Sequence, residues 1–188
     1  FLYAVPWPAQ GLYSKKEINS VADLKGLKFR AYNTATIRIA ELTGMAPTKI
    51  EAAEISQAFS TGAVESMITS PTTGKNKKIW ENGVGYFYDI AAWFPKNMVI
   101  VNKDSWNKLD ADTQKLIMSE AAKAEKKGWD LSKEGNKNDK KALADAGMKV
   151  GKVNTALKKH FEEVGATMSK EWADRAGARG QAVLSAYK

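Results

Sequence analysis

The 188-residue chain contains no cysteine and a single histidine, His160. The first absence excludes disulfides, thiolate metal sites and cysteine nucleophiles. The second leaves any histidine-based acid–base or metal site without a partner. His160 falls in a helical pattern from Ala156 to Val164, where a surface or half-buried position is expected. Proline is scarce, at 5 residues, and no apolar run reaches the roughly 18 residues that cross a membrane. No phosphate-binding glycine motif occurs, because Gly74 and Lys75 follow Thr72 and Thr73 at the wrong spacing. Acidic pairs such as Glu162 and Glu163 lie in helical surface contexts, which gives no glycosidase-type dyad. Repeats, low-complexity tracts and a leader-like segment are also missing. The chain reads as a non-enzyme, with no metal and no cofactor expected. It opens without Met inside the apolar run Phe1–Val5, as a fragment of a longer chain would.

What is present suits a packed protein: 44% of residues are hydrophobic, with 6 each of Trp, Tyr and Phe. Net charge is +8, from 29 Lys and Arg against 21 Asp and Glu. The excess lies in helical stretches, notably Lys123, Lys126, Lys127, Lys133, Lys137, Lys140 and Lys141, which read as solvated helix faces. No nucleic-acid-binding signature accompanies them. A basic interaction module for anionic polymers or membrane surfaces is nevertheless the rival reading.

The first half alternates short apolar runs with helical segments, the pattern of a parallel or mixed sheet with crossover helices. Strands are expected at residues 1–5, continuing through 11–13, and at 27–30, 48–50, 65–69, 85–92 and 97–101. A turn over 21–24 stops at Gly26, and helices are expected from Asn33 or Thr34 to Gly44, over 53–60 and over 71–80. The second half is mainly helical. From Asp110 onward, Ile117, Ala121, Ala124, Gly128 and Leu131 form a narrow apolar stripe on a long helix, with a kink expected near Gly128 or Gly135. A short strand over 148–153 precedes terminal helices around 161–172 and 181–186.

In an open α/β sheet, ligands bind beyond the carboxyl ends of the strands. Arg30 ends one strand, followed by Tyr32 and Asn33; Thr69 and Ser70 end another, followed by Pro71. If the two strands are parallel, these residues share one rim. There the arginine fork fits a carboxylate, and hydroxyl and amide groups complete its hydrogen bonding. Helix N-termini after Asn33 and Pro71 also favour an anion at that rim. The pattern alone is equally compatible with Arg30 in a surface ion pair, Thr69 and Ser70 as helix caps, and Trp93 as packing.

Several segments also resemble a known family. Gln10-Gly11-Leu12-Tyr13-Ser14 with Ile18, and Asp23-Leu24-Lys25-Gly26-Leu27-Lys28-Phe29-Arg30, are similar to the solute-binding subunits of TRAP (tripartite ATP-independent periplasmic) transporters of the dicarboxylate-binding type. So are Glu54 with Ala58, Gly62 to Glu65, Asn102-Lys103, Leu109 with Gln114, and Ala146-Gly147-Met148 with Val150. The resemblance runs in order along nearly the whole chain. It implies a periplasmic, type II flytrap-like receptor that closes on a small organic acid and delivers it to a membrane permease. It also implies that most of the first lobe is absent. Residues 1–93 would then form the second lobe, 94–135 the crossing strand and hinge helix with part of the first lobe, and 136–188 the return to the second lobe. Arg30 matches the arginine that binds the substrate carboxylate. Thr69, with Ser70 beside it, stands nearest a family asparagine, and Trp93 lies in the loop that crosses the cleft. Sialic-acid-binding members carry an arginine at the place of Gln10 and a phenylalanine at the place of Ala52. The resemblance therefore implies a monocarboxylate with a bulky or aromatic body rather than a sialic acid.

Overall fold

The computed structural model describes residues 1–187. Its centre is a mixed sheet whose strands are short because turn residues interrupt every apolar run. They are β2 (Gly11–Ser14), β3 (Lys28–Ala31), β4 (Ala46–Lys49), β5 (Ser66–Thr69), β6 (Tyr86–Tyr88) and β8 (Lys149–Gly151), in the order β4-β3-β5-β2-β6-β8. β3 runs parallel to β4 and β5, β2 is antiparallel to β5 and β6, and β6 is parallel to β8. A separate antiparallel pair joins β1 (Tyr3–Pro6) to β7 (Lys96–Val99). The continuous strand expected across residues 1–13 is thus two strands in two sheets, separated by Trp7, Pro8, Ala9 and Gln10.

Alternation along the strands sorts the core onto both faces of the sheet. Leu12, Phe29, Ala31 and Ile68 pack on one face with Ile39 of helix α1 (Thr34–Thr43) and with Leu157 and Val164 of helix α6 (Thr155–Ala186). Their strand neighbours Tyr13, Met67 and Phe87 pack on the other face, with Ile55 and Phe59 of α2 (Ile55–Ser60) and Leu143 of α5 (Ala111–Asp145). Each long helix starts at a side-chain cap: Asn33, Asp110 and Asn154 accept from Thr36, Thr113 and Leu157 backbone N–H groups.

Several expectations are corrected. The helix expected over 71–80 is the short α3 (Pro71–Asn76) followed by a 3₁₀ turn over Ile79–Asn82, with Lys78 at φ 45° between them. The strand expected over 85–92 keeps only Tyr86–Tyr88, because Ala91 also takes a positive φ of 46°. A short helix α4 (Lys103–Asn107) was not anticipated. α5 runs unbroken through Gly128 and Gly135, and Leu131 of the expected stripe is 56% exposed. The terminal helices start earlier than expected, at Thr155, and two helices meet at a kink at Gly177, whose φ of 61° and ψ of −147° are non-helical. Lys140 leaves the set of solvated lysines, since it is largely covered and ion-paired with Asp89 at 2.5 Å.

A candidate carboxylate site at the sheet rim

Three strands bring the site together. Because β3 and β5 are adjacent and parallel, the ends carrying Arg30 and Thr69 reach the same edge. β2 is antiparallel to β5, and Gly11 pairs with Thr69, so Gln10 arrives at that edge too. Backbone bonds from Gln10 N to Trp93 O (3.0 Å) and from Ala92 N to Gln10 O (2.9 Å) tie the loop after β6 to the same place.

Arg30 is 4% exposed, and among the described residues no carboxylate lies within ion-pair distance of it. A surface ion pair is therefore not its role. Nε donates to the Ile50 carbonyl at 2.9 Å, and Cζ sits 4.6 Å from the Tyr32 ring centroid. Burial pulls the guanidinium below its ordinary value, opposed by Tyr32 and Glu51, yet an arginine remains charged at neutral pH. An unpaired buried cation is costly unless something anionic completes it. Burial likewise pushes the Tyr32 phenol up, against the lowering effect of Arg30 and a polar contact from the Trp93 indole.

Gln10 is 3% exposed, and its Nε2 donates to the Pro8 carbonyl at 2.8 Å. That bond fixes the amide orientation and leaves Oε1 as an unengaged acceptor. Thr69 is buried, and its hydroxyl has no partner among the described residues. The remaining candidates do other work. Ser70, fully buried, caps α3 through Oγ to Thr73 N at 3.0 Å, and its carbonyl accepts from Tyr13 Oη at 3.0 Å. Asn33 caps α1, with Oδ1 accepting from Thr36 N at 2.9 Å. Both helix N-termini are thus partly closed by their own side chains, not simply open to an anion. Trp93 is half-buried, packs against the core on the α1 and α6 face, and walls a cavity of about 790 Å³ there with Ile39, Ile68, Phe161 and Met168. Ala52 is exposed at the turn that follows Ile50. Sequence reasoning missed the Ile50 carbonyl, which as a backbone atom leaves no residue-type signal.

No group of three or more His, Asp or Glu among the described residues is placed to hold a metal. Four of the eight lysines of α5 are ion-paired: Lys123 with Glu120, Lys126 with Asp130, Lys140 with Asp89 and Lys141 with Asp145. The mixed α/β sheet thus gathers a buried, unpaired arginine with Gln10 and Thr69 at its strand ends, an arrangement whose chemistry suits an anion. The chain belongs to the DctP family, bacterial extracellular solute-binding protein family 7, whose model matches residues 9–175.

Among solved structures, DctP6 of Bordetella pertussis, an extracytoplasmic solute receptor binding pyroglutamic acid, is 44% identical with a TM-score of 0.95, covering 99% of this chain and 62% of that one. A marine metagenome TRAP solute-binding protein specific for pyroglutamate is 40% identical with a TM-score of 0.94, covering 99% of this chain and 61% of that one. The sialic acid-binding periplasmic protein SiaP of Vibrio cholerae is 32% identical over 111 residues, which is 57% of this chain and 33% of SiaP. The chain thus spans about three-fifths of these solved receptors and a third to a half of the curated relatives it matches.

Proposed function

We propose that this chain is the carboxylate-gripping part of a periplasmic TRAP-transporter receptor, which captures a small monocarboxylate and passes it to a membrane permease. The observation that carries this reading is Arg30, buried, charged and without an acidic partner among the described residues. A single cation suits one carboxylate. Gln10 supplies an acceptor where a second cation would suit a second acid, so the ligand carries a donor near its carboxylate. Pyroglutamate, with one carboxylate and one ring N–H, has that chemistry, and two receptors at 40% and 44% identity that bind it support the choice. It is a more compact acid than the bulky or aromatic one expected from the sequence.

The part read as hinge and first-lobe contact, residues 94–135, exposes Phe94, Met98, Ile100, Leu116 and Met118. Phe1 and Leu2 join Trp106 and Met118 around an apolar hollow beside them. Such a patch suits packing against further protein, which supports the division into lobes. The test is calorimetry with pyroglutamate on the full-length protein and on Arg30→Lys. The ammonium loses the fork, and affinity is expected to fall about ten- to a hundredfold. Unchanged affinity would remove Arg30 from the site.

A further inference from the structure

We infer that Tyr32 is a positioning residue that fixes Arg30 so that a carboxylate can be taken end-on, through Nη1 and Nη2 alone. The inference rests on the carboxylate reading above and adds how the arginine is held. A guanidinium offers two-point edges of two kinds, the side edge that includes Nε and the end edge formed by the two Nη groups. In this chain Nε already donates to the Ile50 carbonyl at 2.9 Å. The side edge is therefore half used by the protein, and only the end edge offers two free donors. The Tyr32 ring covers the guanidinium at 4.6 Å, which sets the tilt of the plane that the Ile50 bond alone would leave free.

Tyr32 is itself anchored through its backbone. Its backbone N–H donates to Thr36 Oγ1 at 3.0 Å, and the next N–H, of Asn33, donates to the same oxygen at 3.1 Å. Thr36 is fully buried and returns its hydroxyl proton to the α1 cap, toward Asn33 O and Oδ1. The residue is thus tied to the start of α1, with its ring set as a plate against the arginine. Holding the fork in one orientation before the ligand arrives reduces the ordering that binding must supply.

The test compares Tyr32→Phe, Tyr32→Trp and Tyr32→Leu in the full-length protein, each with Arg30 and with Arg30→Lys, by calorimetry with pyroglutamate. Phe and Trp keep a face for the cation and should stay within about threefold of wild type, whereas Leu should lose about tenfold. In the Arg30→Lys background, Tyr32→Leu should change affinity by less than about threefold, because its effect travels through the fork. If Phe loses as much as Leu, the hydroxyl acts and positioning is overturned. If Leu loses equally in both backgrounds, Tyr32 touches the ligand and positioning is again overturned. Wild type against Arg30→Lys alone decides the carboxylate reading, so the two failures are distinct. A ligand-free measurement stands beside these. Arginine-selective NMR should show ring-current-shifted Arg30 side-chain N–H signals that Phe and Trp retain and Leu abolishes. Signals indifferent to Tyr32→Leu, or lost equally in Tyr32→Phe and Tyr32→Trp, would overturn the proposal.

Discussion

Tyr13 shows how one side chain secures the site from beneath. It is fully buried, and its phenol donates to the Ser70 carbonyl, just where β5 hands over to α3. Burial first, and then the negative charge of Asp139, push that phenol well above its ordinary value, so it remains a donor throughout the neutral range. Tyr13→Phe leaves the Ser70 carbonyl with only the longer bond from Gly74 N at 3.3 Å, and urea unfolding should register a loss of about 1 kcal/mol with little change in slope. A loss near zero would mean that the carbonyl finds another donor. At the rim, Gln10→Leu should remove the acceptor that reads a ligand donor. The preference for pyroglutamate over cyclopentanecarboxylate, which lacks the ring N–H, should then fall about tenfold or more; an unchanged ratio excludes Gln10 from recognition. At this scale the sequence was informative about charge and poor about backbone. Arg30 stood out because a strand-end arginine beside hydroxyl residues is a recognisable pattern. Whether Ser70 contacts ligand or caps a helix was open, since a serine before Pro71 fits both, and the Ile50 carbonyl was invisible.

Among the elements, α5 and β1 meet at a glycine. A Cβ at Gly128 would lie 2.4 Å from Val5 Cγ2, so this glycine permits close approach and does not kink the helix. Around it, Ala4 N donates to Glu125 Oε1 at 3.0 Å and Trp129 Nε1 donates to Ala4 O at 3.1 Å. Gly128→Ala gains helix propensity but forces strand and helix apart, and should destabilise by about 1–3 kcal/mol. Val5→Ala should recover part of that loss in the double variant, as calorimetric melting can report. Equal loss in both backgrounds would place the strain elsewhere.

Capping makes a second prediction at this scale. Asp23 and Asp110 are held below the ordinary carboxylate range chiefly by backbone N–H donors, from Asn19 and Thr113 respectively, and Glu171 is lowered chiefly by its hydrogen bond from Arg38. A depressed folded value gives stability that is present above the unfolded pKa and lost as pH falls through the folded one. Melting temperature should hold from about pH 7 to 5 and decline below about pH 4, where free carboxylates titrate. Asp110→Asn should flatten part of that decline. The caps at Asn33 and Asp110 are why the starts of α1 and α5 could be located from residue types, whereas the Asn154 cap went unread and α6 begins well before the expected residue 161. The over-long strand at 85–92 and helix at 71–80 had no such signal, because Ala91 and Lys78 adopt positive φ without being glycine.

Over the whole molecule, the parts least legible in sequence are those joined across the greatest separation. β1 pairs with β7, linking Tyr3 to Val99, and nothing in either run specifies the other. The six-stranded sheet was more accessible, since alternation on both faces marks a buried sheet, although its order depends on β2 running against its neighbours. The β1–β7 pair and the start of α5 leave large apolar side chains in water: Phe1 is 69% exposed, Met98 64%, Ile100 72% and Leu116 61%. The Arg30 rim lies on the sheet and this patch on the crossing strands; in the two-lobed reading proposed above, the protein that covers the patch also supplies the second wall of the ligand cleft. Enclosure from two sides removes water from the carboxylate pair and strengthens it. Residues 1–188 alone should therefore bind pyroglutamate about a hundredfold more weakly than the full-length protein, a difference of about 2.7 kcal/mol. The isolated chain should also bind a hydrophobic dye at the patch. Met98→Lys with Ile100→Lys should reduce that signal without changing the melting of the six-stranded sheet, while in the full-length protein the same pair should weaken ligand binding. If the isolated chain matches the full-length protein in affinity, the rim is sufficient by itself and the apolar face serves some other contact.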